Sequence, residues 1–194
     1  MELMSALGGI GAAFGLSTSA GLNAYIPLLV VALAAKFSDS FHLSAPYDAL
    51  TSWWVIGILA VLLLVEMFVD KIPAVDSIND IIQTFIRPVA GAVLFAANAN
   101  VVTDVSPIIA LVAGLLVAGG VHATKGAFRP AVTATTAGTG NWLVSILEDI
   151  VAFVMSLLAL ILPILIGIGA LLFIALLVVY FIRRRRKQEK LAFN

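Results

Sequence analysis

The chain contains no cysteine, so disulfides, thiolate nucleophiles and cysteine-held metals are excluded, and the redox compartment leaves no trace in the sequence. Histidine is almost as scarce: His42 and His122 are the only imidazoles. No His-Glu-x-x-His pair occurs, and no glycine-rich phosphate loop ends in Lys-Ser/Thr. Ser17 and Ser19 have no base that sequence ties to them, and Gly138-Thr139-Gly140 is too short to mean more than a loop. Nothing points to an enzyme, a metal, a cofactor or a nucleic-acid partner. Charge is the third scarcity. Only 11% of the 194 residues are charged and 62% are hydrophobic, whereas a soluble domain carries roughly 25% charged and about 45–50% apolar residues. Such a chain cannot clothe its core in polar surface.

What it has instead is long apolar runs. From Ile150 to Ile182 only Ser156 and Tyr180 are polar, and a run of about 18 or more uncharged apolar residues reads as a membrane span. The formal net charge is zero but unevenly placed. Arg183, Arg184, Arg185, Arg186, Lys187 and Lys190, opposed only by Glu189, give residues 183–194 a charge of +5 and leave the body at −5. Basic residues beyond a span favour the cytoplasmic side, and a cluster of this size can also touch anionic lipid. The opening Met1-Glu2-Leu3-Met4 lacks the positive region of a signal peptide, so the first helix is read as retained.

The runs predict an all-α, polytopic helix bundle of about six spans within residues 1–182, with five as the alternative. Ser5 to Ala35 holds no charge, and about 45 Å of helix would exceed the roughly 30 Å hydrocarbon. A break is expected between Gly15 and Pro27, where Ser17, Thr18, Ser19 and Asn23 can satisfy freed backbone groups. Residues 36–52 form the longest polar connection. Trp53 and Trp54 then open a span at the depth of an aromatic belt, and it ends past Glu66. In the third element Ile78, Ile81, Ile82, Phe85 and Ile86 oppose a stripe of Asp76, Asp80, Thr84 and Arg87, and Pro88 is expected to interrupt it. The fourth, Ser106 to about Ala137, is expected to break around Gly119-Gly120-Val121-His122. Trp142 to Ile182 divides at Pro163. Both termini are then cytoplasmic.

Two likenesses suggest a duplication into half-repeats 1–100 and 101–182. Ala20-Gly21-Leu22-Asn23-Ala24-Tyr25-Ile26-Pro27 matches Ala123-Thr124-Lys125-Gly126-Ala127-Phe128-Arg129-Pro130 as Ala-x-x-x-Ala-aromatic-x-Pro. Ser77 to Ile82 resembles Ser145 to Val151 with one insertion. Three spans per half would make the repeat inverted, a pointer to a transporter's central site.

Charges inside apolar runs are costly, about 2.5–3.5 kcal/mol each on insertion scales. His122, Lys125 and Arg129 share one helix face, and Arg87 adjoins Pro88. Asn23 sits at the first break. Glu66, Asp80, Glu148 and Asp149 can supply countercharge. These nine residues are the candidate site: Arg87, Lys125 and Arg129 would hold an anionic group, and the carboxylates would pair them or carry protons.

Gly21-Leu22-Asn23-Ala24-Tyr25-Ile26-Pro27-Leu28-Leu29, Asp70-Lys71-Ile72-Pro73-Ala74-Val75-Asp76-Ser77, Phe85-Ile86-Arg87-Pro88-Val89-Ala90-Gly91 and Ser145-Ile146-Leu147-Glu148-Asp149 resemble an uncharacterised bacterial membrane family, domain of unknown function 4126. The resemblance covers most of the chain. Asn141-Trp142 departs from it, since a proline commonly follows that asparagine. It implies a bacterial inner-membrane location and no activity. The Arg-Pro steps also resemble, more faintly, lipid-scramblase-like proteins with re-entrant helices. The expected function is movement of a small polar or anionic solute, or a lipid head group. A non-transporting scaffold is the alternative, and an intramembrane enzyme stands third.

Overall fold

A computed structural model describes residues 2–39, 41–69, 73–99, 105–136 and 140–192. The described residues form seven α-helices: α1 (Glu2–Leu22), α2 (Tyr25–Phe37), α3 (Trp53–Val69), α4 (Pro73–Ala99), α5 (Pro107–Thr136), α6 (Asn141–Ile161) and α7 (Pro163–Ala192). A short 3-10 helix, Tyr47–Thr51, precedes α3, and no strand occurs among them. Proline opens α4, α5 and α7 and stands in the first turn of α2 at Pro27. There its missing N–H would have had no partner anyway and its fixed φ suits a helix. Asp70, Lys71 and Ile72 of the first connecting motif lie outside the described residues, as do the side chains of Asp76, Arg185, Arg186, Lys187, Glu189 and Lys190.

Four segments are long and apolar enough to cross a membrane: Asn79–Asn98, Pro107–Thr136, Asn141–Ile161 and Pro163–Arg184. Tyr25–Phe37 and Trp53–Val69 are shorter apolar helices. Leu, Ile, Val and Phe side chains of α3, α5, α6 and α7 point outward, while Ser17, Ser19, Asn23, Glu66, Gln83, Arg87, Lys125, Arg129 and Ser156 are buried. Polar groups inside and apolar groups outside are what a hydrocarbon solvent selects. The amphipathic stretch of α4 obeys the same rule, with Ile81, Ile82 and Phe85 facing outward and Gln83 and Arg87 inward.

Helix α1 is the centre. It packs against α2, α4, α5, α6 and α7, and its many Gly, Ala and Ser residues let those helices come close. A Cβ at Gly21 would lie 2.5 Å from Val121 Cβ and 2.6 Å from the Ala118 carbonyl oxygen, and one at Gly11 would collide with the Pro163 carbonyl. The hydroxyls fasten the same helix. Ser17 donates to the Gly91 carbonyl of α4 at 2.8 Å, and Ser19 bonds both the Ala152 carbonyl and Ser156 of α6.

Touching pairs fix the helix directions. Phe14 stacks edge-on with Phe95 and Ser17 meets Gly91, so α1 and α4 are antiparallel. Gly15 meets Ala159, Ser19 meets Ser156 and Asn23 meets Asp149, so α6 is antiparallel to α1 as well. Helix α5 opposes α4, with Gly91 against Ala118 and Arg87 against His122. Gly8 beside Pro163 and Gly11 beside Gly167 make α7 parallel to α1. Helix α2 turns back from the Asn23 end: Phe37 stacks on Trp53, and Tyr47 beyond it packs on the cluster of Ala13, Phe95, Ala96 and Ala110. Direction therefore alternates along the chain, and Glu2 and Ala192 lie at opposite ends of the bundle.

Several expectations are corrected by this arrangement. The break at Asn23 and the division at Pro163 are present, but α4 runs unbroken through Pro88 and α5 through Gly119, Gly120 and Pro130. An opened turn in hydrocarbon leaves backbone groups unsatisfied at several kcal/mol each, against about 1 kcal/mol for a helical glycine and about 3 for a proline. Continuing the helix is cheaper, and the Pro88 ring packs opposite Gly119. Helices α1 and α7 run the same way, so the start of α1 and the end of α7 lie at opposite ends of the bundle rather than at the shared end expected for the termini. The inverted repeat finds no support. Its second pair lies in α4 and α6, which run the same way. Its first pair straddles the α1–α2 break in one half and sits within continuous α5 in the other, and both members lie at the Asn23 end, where Lys125 Nζ reaches the Leu22 carbonyl at 3.4 Å.

The central packing predicts that Gly21→Val destabilises the protein by about 1–3 kcal/mol or more, the cost of overpacking a tight core. Gly57→Ala, inside α3 where a Cβ meets nothing within 4 Å, should be neutral or stabilising by up to about 1 kcal/mol. Thermal unfolding of the detergent-purified protein checks both, and equal effects would show that α1 is not the tight centre.

Candidate functional site

The inward face of α5 changes character along its length. Ala110, Gly114 and Ala118 are small and let α4 approach; one turn further the same face carries His122, then Lys125 and Arg129. Because α4 is antiparallel, its inward residues at this level are Asp80, Gln83 and Arg87. Helix α3 ends here with Glu66, and α6 begins here with Glu148 and Asp149. All nine candidate residues thus come together at the Asn23 end of the bundle.

They form a chain of bonds. Arg87 donates to Glu66 Oε1 at 2.9 Å and to His122 Nδ1 at 3.2 Å. A guanidinium only donates, so His122 Nδ1 must accept, which leaves the imidazole proton on Nε2 facing Thr84 Oγ1 at 3.1 Å. Thr84 in turn donates to the Asp80 carbonyl at 2.8 Å. Asp80 Oδ2 takes an Arg129 N–H at 2.8 Å, and the other Arg129 amino group lies 3.7 Å from Glu148 Oε2. Lys125 Nζ meets that same oxygen at 2.7 Å. Next along α6, Asp149 Oδ1 accepts from Asn23 Nδ2 at 2.9 Å. The Asn23 carbonyl oxygen, Oδ1, caps the N–H groups of Tyr25 and Ile26 at 2.9 and 3.0 Å, which starts α2.

The network has two unlike parts. Glu66 and Arg87 are sealed, with side chains 2% and 1% exposed, and Tyr25 and Gln83 are buried at the same end. Arg87, expected to hold an anionic group, lines neither cavity described below. Arg129 and Asp80 are open by comparison, with side chains 10% and 31% exposed. A cavity of about 260 Å³ lies over them, bounded by Asp80, Ile81, Thr84, His122, Lys125, Gly126 and Arg129. A second of about 1,110 Å³ runs between α5, α6 and α7 across α1 and includes Lys125, Arg129 and Glu148 among mostly apolar lining. Lys125 and Arg129 border both. Among the described residues no group of His, Asp and Glu side chains is arranged to hold a metal ion.

Sequence reasoning passed over Gln83 and Tyr25, which are buried at the same end as the dry pair. Gln83 left a signal, being four residues before Arg87 and three after Asp80 on the polar stripe. Tyr25 reads only as part of a helix start. Ser17 and Ser19 read as part of a break and Ser156 only as a polar residue in an apolar run, but all three serve as fasteners of α1.

A bundle with an apolar exterior, four helices long enough to span and its charges gathered inside is a multi-pass helical membrane protein. The family model described as "Domain of unknown function (DUF4126)" matches residues 10–183, and the chain belongs to that family. No curated protein and no solved structure matches it.

Breaking the sealed pair should cost more than breaking the open one. Arg87→Gln leaves the buried Glu66 carboxylate uncompensated, at about 3–5 kcal/mol. Arg129→Gln leaves Asp80, which is partly exposed, and should cost about 1 kcal/mol or less. Melting curves of the two variants in detergent test the division, and a reversed order would overturn it.

Proposed function

We propose that this protein binds an anionic group at Lys125 and Arg129 and passes it across the bacterial inner membrane. The observation that carries the reading is the placement of these two cations: each is buried on an otherwise apolar helix, yet both border the two cavities of this end. Each already has a carboxylate partner. An arriving anion that displaces Glu148, whose side chain is 14% exposed, would leave that carboxylate uncompensated in a poorly hydrated site, a state of high energy. Uptake of one proton by the displaced carboxylate removes the problem, so the anion travels with a proton. Glu66 and Arg87 do not exchange partners and hold α3 against α4. A scaffold without transport is the second reading, favoured by the dryness of that one pair.

Reconstituted vesicles test this by following both release of entrapped small anions and transbilayer movement of labelled anionic lipid. One of the two should be accelerated by the protein, driven by an acidic opposite side, and lost in Arg129→Gln while the protein still folds. A protein that moves neither, with Arg129→Gln behaving as wild type, is a scaffold.

The basic segment from Arg183 favours a cytoplasmic end for α7, and with alternating helix directions this reading has the start of α1 on the other side and seven crossings. Helix α2, 13 residues long or about 20 Å, crosses only with the help of the 38–52 connection. Reporter fusions at the two termini should report opposite sides. Two cytoplasmic termini would remove the seven-crossing topology.

A further inference from the structure

The cavity between α5, α6 and α7 is not the shape of a site for a soluble ion. Helix α6 touches α5 and α7 only sparingly, which leaves a cleft of about 1,110 Å³ whose floor is α1 and whose walls include Phe14, Val117, Phe128, Ile166 and Phe173. The outward faces of the flanking helices are apolar, so the cleft opens towards the hydrocarbon. Along α5 its lining extends from Leu116 to Val132, about 24 Å of helix and more than one leaflet of a roughly 30 Å hydrocarbon layer. Its charged residues, Lys125, Arg129 and Glu148, lie towards the Asn141 end of α6; the Leu116 and Leu165 end is apolar throughout. An elongated apolar slot with two cations against one carboxylate in its upper part is complementary to a chain-bearing molecule with a negative head.

We infer that the anionic group bound at Lys125 and Arg129 is the head of a membrane phospholipid, which enters sideways from the bilayer with an acyl chain lying in the α5–α6–α7 cleft. The inference rests on the anion-binding reading above and names the substrate class for that site. A soluble anion would gain nothing from the apolar length of the cleft, whereas a lipid keeps its chain out of water and brings its phosphate to Lys125 and Arg129 without crossing an aqueous mouth. The smaller cavity beyond, over Asp80 and Thr84, then receives the head group.

Two glycines make the test clean. A Cβ at Gly120 or at Gly169, both in the cleft wall, meets nothing within 4 Å. Gly169→Phe and Gly120→Leu therefore fill the slot without disturbing a helix contact. Full-length protein is released from detergent in native mass spectrometry after incubation with equal phosphatidylglycerol and phosphatidylcholine, and thermal protection by inorganic phosphate and glycerol phosphate is measured in parallel. The expected result is preferential retention of phosphatidylglycerol, weakened about tenfold by either filled-cleft variant and by Arg129→Gln, with little protection by the soluble anions. If the soluble anions protect, Arg129→Gln abolishes that protection and the filled-cleft variants change nothing, the anion reading stands and the lipid is wrong. If both lipids are retained equally, head-group recognition is wrong. If Arg129→Gln alters no binding, both readings fall. Loss of a dimer in the filled-cleft variants would make the cleft a contact between two copies and overturn the inference.

Discussion

The structure depends on one constraint: a charge that cannot face hydrocarbon must find its countercharge within the bundle. At the Asn23 end four helices contribute ionised side chains, and each helix is positioned by the partner it must reach. Arg87 holds α4 to α3 through Glu66, Arg129 holds α5 to α4 through Asp80, and Lys125 holds α5 to α6 through Glu148. The helix α1 adds no charge here. It closes the circuit through Asn23 and Asp149. The opposite end is held by small residues and by the edge-on contact of Phe14 with Phe95, with Lys36 lying over the Trp53 ring.

These two modes of attachment explain where space is left. Small residues bring α1, α4 and α5 almost into backbone contact, and Gly91 and Gly114 leave no room between them. Ion pairs between long side chains hold helices further apart. Lys125 and Glu148 span the α5–α6 gap that small residues do not close, and the large cleft lies along it. The same pairing thus supplies both cohesion and an opening, whereas the buried Glu66–Arg87 pair borders neither cavity and is cohesive alone.

Much of the molecule was legible in the sequence. Scarce charge and long apolar runs establish the membrane class, because hydropathy is read directly by the solvent. The gathering of the nine candidate residues was legible because burying a charge is expensive whatever the fold, so rare intramembrane charges come together. The breaks were legible where a polar side chain could replace a lost backbone bond, as Asn23 does, and misleading where only glycine or proline suggested one, as at Gly119 and Pro88. The local signal there is about 1–3 kcal/mol, and the surrounding helices outweigh it. The direction of the repeats was not legible: the break at Asn23 is a full reversal into α2 rather than a kink, and that one extra turn leaves α1 and α5 running the same way. Arg87 and Arg129 look alike in sequence, and only the neighbours supplied by other helices make one sealed and the other open.

Asn23 performs two tasks with one side chain. Its oxygen starts α2 and its nitrogen grips α6 through Asp149. The amide is planar, so both bonds turn together. A displacement of α6 at this level rotates the amide and loosens the first turn of α2, and a shift of α2 is felt in return at the carboxylate beside Glu148. The turn between the first two helices therefore behaves as a crank joining the wall of the cleft to the short helix packed beside it, so that movement of one is transmitted to the other.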